Sequence, residues 1–210
     1  MNARGAPQIK ICGITKAEEA SSLNEICADY AGFVFWEKSK RNVSFVQAEK
    51  IHKVLNKGIR RVAVTVSPDL ELVRQIEALG FDILQVHGRL QAEVVRHCSI
   101  PIWRACNLQK PEDMEELEQM KKIAGYVIDA GTPGSGKTFD WRGSRKAIER
   151  MKATVFARRA FVLAGGLNPE NVTEAVRIFQ PDVVDVSSGV EGADGKEWKL
   201  VTEFAGKVRE

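Results

Sequence analysis

The chain has 210 residues, 44% of them hydrophobic, which is enough for one large core and short for two independent domains. A formal net charge of +3, from 31 basic and 28 acidic residues without a like-charged run, argues against a dedicated nucleic-acid surface and suits an anionic small molecule. No apolar stretch approaches a membrane span, residues 1–7 lack the apolar region of a signal peptide, and Cys12, Cys27, Cys98 and Cys106 form no C-x-x-C pair, so a reducing cytoplasm is the expected setting.

Residues 1–8 read as a flexible tail. The first apolar run, 9–12, ends in Cys12 and Gly13, and a helical pattern follows over 17–27 with Thr15 as its cap. A run at 30–35 leads into the charged loop 36–43 and a helical pattern over 46–55. Next come the run 61–66, the start signal Ser67-Pro68-Asp69 and a helix over 70–79. The run 83–86 precedes a weaker helical pattern over 90–98, and the run 100–105 precedes one over 112–122. The run 126–129 opens a glycine-rich loop, with a helix expected over 145–151. The run 161–164 meets Gly165-Gly166, the start signal Asn168-Pro169-Glu170 and a helix over 170–179. The last run, 183–186, ends in Ser187-Ser188-Gly189 ahead of a helix over 197–208.

The runs are rich in Val, Ile and Phe and often unalternated, as strands buried on both faces are. Eight of them alternating with eight helices predict one α/β domain over 9–210, a (β/α)8 barrel of the TIM class. An open doubly wound sheet is the other arrangement with this pattern, because strand order is not written in it. The sequence carries no strong internal repeat.

In a barrel the C-terminal strand ends share one mouth. That rule selects Cys12, the loop 36–43 with Arg41, Thr65, His87, Arg104, Asp129, Gly165-Gly166 and Ser187-Ser188-Gly189. Glycines let backbone N–H groups approach an anion, and the loops after strands seven and eight are the usual phosphate site of this fold; plain tight turns are the alternative. The stretch Gly134-Ser135-Gly136-Lys137-Thr138 lacks the earlier glycine of a P-loop and reads as part of a lid. Asp129 is a candidate acid or a turn residue. Cys12 is a structural thiol or a base activated by a nearby cation such as Lys10. Arg41 is a solvated loop residue or a carboxylate clamp. His52, His87 and His97 make no ligand pair with a carboxylate, so no metal site is expected.

These motifs, in order and over nearly the whole chain, resemble the phosphoribosylanthranilate isomerase family. The matching residues are Lys10-Ile11-Cys12-Gly13-Ile14-Thr15, Gly32-Phe33-Val34-Phe35 with Ser39-Lys40-Arg41, Leu84-Gln85-Val86-His87-Gly88, Asp129, the stretch from Gly134 to Trp141, Leu163-Ala164-Gly165-Gly166-Leu167 and Asp185-Val186-Ser187-Ser188-Gly189-Val190-Glu191. The chain departs from the usual family pattern at Trp36, Glu37, Asn42, Ala63, Thr65 and Arg104.

The resemblance implies an Amadori rearrangement of N-(5-phosphoribosyl)anthranilate in tryptophan biosynthesis. It implies Asp129 as general acid on the ribose ring oxygen and Cys12 as general base at C2. Arg41 would take the anthranilate carboxylate. His87, Asp185, Gly165, Gly166, Ser187, Ser188, Gly189 and the lid residues Gly134, Ser135 and Gly136 would bind the rest of the substrate, the phosphate above all. No metal or organic cofactor is implied, because the Schiff base forms from the substrate's own amine. The partner is then a small phosphoribosyl compound, not nucleic acid or membrane, bound by a monomer or homodimer. The acid must start protonated, well above about 3.9, and the base must become thiolate. A related aminoaldose isomerase of histidine biosynthesis uses an aspartate at the end of strand one, where this chain has Cys12. Dual activity and a non-catalytic phosphosugar-binding module are the remaining alternatives.

Overall fold

Eight parallel strands close on themselves, and most carry apolar side chains on both faces, one set for the barrel interior and one for the surrounding helices. The computed structural model describes residues 5–107, 123–129, 146, 148, 149, 151, 152 and 159–210. The strands are β1 (Gln8–Cys12), β2 (Tyr30–Phe35), β3 (Arg60–Val66), β4 (Ile83–His87), β5 (Ile102–Asn107), β6 (Ile123–Asp129), β7 (Ala160–Leu163) and β8 (Val183–Val186). Each pairs with its sequence neighbours, and β1 also pairs with β8, Lys10 opposite Asp185. That closure excludes the open sheet.

Helices α1 (Ala17–Glu25), α2 (Phe45–His52), α3 (Leu70–Ala78), α4 (Ala92–His97), α5 (Val172–Phe179) and α6 (Trp198–Arg209) connect or follow strands. The helix expected over 112–122 lies outside the described residues; of the one expected over 145–151, Lys146, Ile148, Glu149 and Met151 are helical, as is Lys152 beyond it. A two-stranded hairpin, β9 (Glu191–Gly192) with β10 (Gly195–Lys196), lies between β8 and α6.

Some expected boundaries shift for local reasons. The fifth strand starts at Ile102, not 100, because Pro101 has no N–H to donate, although its carbonyl still accepts from Leu84 N at 3.0 Å. The cap of α3 is Asp69, which accepts from Leu72 N at 2.8 Å, rather than Ser67. At α1, Thr15 stands outside the cap: the Glu19 carboxylate accepts from the N–H groups of Thr15 and Lys16 and from the Thr15 hydroxyl. Asn168 organises the turn before α5 by accepting from Glu170 N and Asn171 N, and the helix itself begins at Val172.

Inside the barrel lie Tyr30, Val62, Val64, Trp103, Val127 and Val183; outside, under the helices, lie Ile9, Ile11, Phe33, Leu84 and Phe161. The N-terminal end of the barrel is closed by one device used three times. Asp29, Asp82 and Asp182 each stand one residue ahead of an even-numbered strand. Their carboxylates accept from Ile9 N at 2.9 Å, Arg61 N at 2.7 Å and Phe161 N at 2.8 Å. Their own N–H groups donate to the carbonyls of those same residues at 3.0, 2.9 and 3.0 Å. Each aspartate thus grips one residue of the preceding strand at both of its backbone groups.

Candidate active site

The inward column of β1 runs Gln8, Lys10, Cys12, because Ile9 and Ile11 face the helices. The inward column of β8 contains Asp185 and continues to Ser187. Lys10 Nζ donates to Asp185 Oδ2 at 2.7 Å, with both side chains nearly sealed from solvent. One layer higher, Ser187 Oγ donates to the carbonyl of Cys12 at 2.9 Å. Gly32 faces Cys12 across the β1–β2 ladder; a Cβ there would lie 2.9 Å from the Cys12 sulfur and 3.0 Å from its Cα. A glycine on β2 therefore makes the room in which the thiol sits. The chain then leaves β1 through Gly13, whose φ of +82° favours glycine.

Burial pushes the Cys12 thiol up, with Asp185 adding to it, while the cations Lys10 and Lys196 pull the other way without prevailing. This differs from the depressed thiol that a resting thiolate requires. Burial works against the Lys10 ammonium, yet Asp185 and Cys12 outweigh it and hold Lys10 above its ordinary value. Burial likewise pushes the Asp185 carboxyl up, against Lys10.

A second charged group lies above this one. The loop after β2 is fastened by Asn42, whose side chain accepts from Trp36 N at 2.8 Å, and it presents Arg41 over Gly13. Arg41 makes a bidentate pair with Glu191, Nε to Oε1 at 2.5 Å and Nη2 to Oε2 at 2.9 Å. The β9–β10 hairpin sets Lys196 opposite Glu191. Its ammonium reaches Glu191 at 2.7 Å and the Ser187 carbonyl at 3.0 Å, and Lys40 adds a third cation to Glu191 at 2.9 Å. Burial opposes ionisation of Glu191, but hydrogen bonds from Arg41, Lys196 and Lys40 hold it well below the usual carboxylate range. Three cations around one carboxylate leave an excess of positive charge in this cluster. Glu191 takes the Nε/Nη2 edge of Arg41, so the Nη1/Nη2 edge is the one that can meet a second carboxylate.

Opposite, His87 points inward from β4, in phase with Ile83 and Gln85. Burial pushes its ring down to about 4, helped by Lys10 and Arg104, so the imidazole is neutral at pH 7. Its Nε2 lies 2.9 Å from the side-chain amide of Gln85. Asp129 ends β6 on the inward phase shared with Gly125 and Val127 and is half-buried. Gly134, Ser135 and Gly136 lie outside the described residues.

The late loops meet at the same mouth. Gly165 and Gly166 adopt φ of +89° and +67°. Asn171 Nδ2 donates to the Gly166 carbonyl at 2.9 Å and fixes the turn. Ser188–Val190 forms a single 3-10 turn, and a Cβ on Gly189 would lie 1.9 Å from the carbonyl oxygen of Leu167. Only glycine lets the loop after β8 close on the loop after β7.

The barrel thus brings Cys12, Arg41, His87, Asp129, the two glycines and the serine loop to one end. Two expected mouth residues are not part of its lining. Thr65 alternates with the inward Val62 and Val64, so it faces the helical layer and donates to the Gln85 carbonyl at 3.1 Å. Arg104 lies between the inward Trp103 and Ala105, and its guanidinium covers the carbonyls of Val86 and Ala105. Lys196 escaped the sequence reading, although Asp194-Gly195 is a hairpin turn signal that pointed to it.

Residues 9–207 match the family model described as N-(5'phosphoribosyl)anthranilate (PRA) isomerase. The chain is 38% identical over 208 residues to an N-(5'-phosphoribosyl)anthranilate isomerase of Thermoanaerobacter pseudethanolicus, covering 96% of this chain and 98% of the relative. It is 39% identical over 204 residues to one of Clostridium kluyveri, with the same coverage. Among solved structures, phosphoribosyl anthranilate isomerase from Thermotoga maritima superposes with a TM-score of 0.83 at 35% identity, over 97% of this chain and 98% of that one. A complex of such an isomerase with reduced 1-(o-carboxyphenylamino)-1-deoxyribulose 5-phosphate gives a TM-score of 0.80 at 32% identity, with the same coverage.

Proposed function

The chain belongs to the N-(5'-phosphoribosyl)anthranilate isomerase family, and from that premise we propose how its barrel mouth carries the reaction. The activity is the isomerisation of N-(5'-phosphoribosyl)anthranilate to 1-(2-carboxyphenylamino)-1-deoxyribulose 5-phosphate in tryptophan biosynthesis. Asp129 donates a proton to the ribose ring oxygen as the ring opens, and the anilino nitrogen supplies the electron pair that makes the Schiff base. Cys12 then takes the proton from C2, and the resulting enamine tautomerises to the ketone. The observation that carries this assignment is the placing of Cys12 and Asp129 on inward phases at the same barrel end as both glycine loops.

Arg41 receives the anthranilate carboxylate on its Nη1/Nη2 edge while Glu191 keeps the other edge oriented. The phosphate sits against Gly165-Gly166 and Ser187-Ser188-Gly189, with Gly134, Ser135 and Gly136 contributing from the loop after β6. His87, held neutral by burial, acts as a hydrogen-bonding group and adds no charge. Cys12 must remain a free thiol, which suits a reducing cytoplasm.

Loss of anthranilate fluorescence as phosphoribosylanthranilate is generated in situ tests the roles. Fast decay that disappears in both Cys12→Ser and Asp129→Asn is the expected result. Undiminished decay in either variant refutes that residue's role.

A further inference from the structure

Among the described residues, Lys10 is the largest charged side chain sealed from solvent, at 0% exposure. A buried ammonium is costly unless it is paired, and a buried pair adds little stability over apolar residues of similar volume. Its cost therefore calls for a use. Lys10 and Asp185 face each other across the seam that closes the barrel, 2.7 Å apart. The next inward residue above Lys10 on β1 is Cys12, and the next above Asp185 on β8 is Ser187, which holds the Cys12 carbonyl. Asp185 Oδ1 is buried and has no hydrogen-bond partner among the described residues, so the carboxylate is engaged through Oδ2 on Lys10.

We propose that Lys10 is a positioning residue for Cys12: pinned from the side by Asp185, its ammonium is fixed in the layer beneath the sulfur and stabilises the thiolate that takes the C2 proton. Asp185 holds that ammonium in place, while its own negative charge opposes the thiolate. The charged groups acting on Cys12 are Lys10 on its own strand, Asp185 on β8, Lys196 on β10 and Arg41 in the loop after β2. Lys196 and Arg41 are shared with Glu191, which carries its own negative charge to the same place. Lys10 is the cation beneath the thiol, and its salt-bridge partner, Asp185, lies in its own layer rather than in that of the sulfur. Removing Lys10 and removing Asp185 must therefore move the thiol in opposite directions. A purely structural role would loosen the seam in both cases and move it in one direction.

The proposal rests on the reading of Cys12 as the base, but its test does not depend on turnover. Thiolate formation at Cys12 is followed by ultraviolet absorbance against pH, with Cys12→Ser in each background subtracted to remove Cys27, Cys98 and Cys106. Lys10→Met is expected to move the titration upward by about one pH unit, and Asp185→Asn to move it downward. Turnover of Lys10→Met is expected to fall roughly tenfold with KM little changed, because a thiol that titrates about one pH unit higher presents about a tenth of the thiolate. Should Lys10→Met fail to fold, Lys10→Met/Asp185→Leu replaces the whole pair by apolar volume and is expected to move the titration upward by a smaller step, because losing Asp185 offsets part of the loss of Lys10. Movement in the same direction in the two single variants, or none with Lys10 removed, overturns the proposal. Turnover surviving in Cys12→Ser would instead refute the base assignment and leave the titration result standing.

Discussion

The two ends of this barrel use the same chemical vocabulary to opposite purpose. At the N-terminal end, three aspartates make the same pair of contacts to three strands, and the accompanying ion pair, Arg61 with Asp82, has both side chains about one-third exposed. At the C-terminal end nothing repeats among the described residues. Lys10–Asp185 and the Arg41–Glu191–Lys196 cluster are each built once, from segments 175 and 150 residues apart, and are largely buried. Repetition suits a task that every βα unit shares, which is holding strand register. A unique arrangement suits a task done at one point in space. The partly exposed contacts contribute modest stability, whereas buried charges are tolerated where their fields act on something.

The sharpest way to break this division is to exchange the expected readouts. Cys12→Ser or Asp129→Asn should lower kcat by about 10²- to 10⁴-fold, with the thermal midpoint little altered. A large fall in midpoint with activity retained would show that the upper end also serves register. Next in size is Arg41→Lys. A lysine cannot serve Glu191 and a substrate carboxylate along two edges, so KM should rise roughly ten- to a hundredfold with a smaller change in kcat. Steady-state fluorescence kinetics separates the two parameters.

The pH profile sharpens the upper end further. Catalysis needs protonated Asp129 with Cys12 thiolate, and that pair carries as many protons as ionised Asp129 with Cys12 thiol. kcat/KM is therefore flat while the pair holds one proton and falls on the alkaline side as the pair loses it. Burial has pushed the thiol above its ordinary value of about 9, so the alkaline limb is expected beyond pH 9. A limb near neutrality would mean that the cations outweigh burial. The raised value also explains why a cation under the sulfur is useful: the active fraction falls about tenfold for every pH unit by which the acid titrates below the base.

Much of this was legible in the chain. The expected bounds of β2 and β8 coincide with the observed ones: Asp29 and Pro181-Asp182 break the apolar pattern at their starts, and Ser187-Ser188-Gly189 breaks it at the end of β8. The ends of β1, β4 and β6 put Cys12, His87 and Asp129 at the mouth as expected. Thr65 and Arg104 failed for a physical reason. Strands buried on both faces lose their alternation, so Val62-Ala63-Val64-Thr65 does not reveal which phase faces inward; the register of the closed barrel decides it. The pairing of Arg41 with Glu191 and of Lys10 with Asp185 depends on closure between β8 and β1, which no local pattern encodes. The aspartate clamps were visible as three Asp residues, each before an apolar run, yet a one-residue repeat is too small to register as one.

Those clamps give the complementary break. Asp29→Ala removes the acceptor of Ile9 N and of the Gln8 side chain, and should cost about 1–3 kcal/mol, or about 2–4 °C in Tm for each kcal/mol, with kcat unchanged. Calorimetry beside the fluorescence assay checks both halves. A fall in kcat that outlasts correction for unfolded protein would mean the lower end reaches the site through β1, which carries both Ile9 and Cys12.

The smallest effect concerns a group at neither end. His52 is wedged between the rings of Phe33 and Phe81, at centroid distances of 5.0 and 4.6 Å, and burial, reinforced by Arg61, pushes it down to about 4. His87 at the mouth is pushed down to about 4 as well, again by burial first. Unfolding restores each to about 6.5, so between pH 6.5 and 4 the unfolded chain binds more protons than the folded one. Their contribution is therefore complete above pH 6.5, declines as the pH falls toward 4 and levels off below. His52→Leu should flatten part of the loss of thermal midpoint between pH 7 and pH 4.5, and the remainder should include the share of His87. If His52→Leu leaves that slope unchanged, the shell under α2 admits enough water to protonate the ring without unfolding, and the acid sensitivity belongs to the mouth alone.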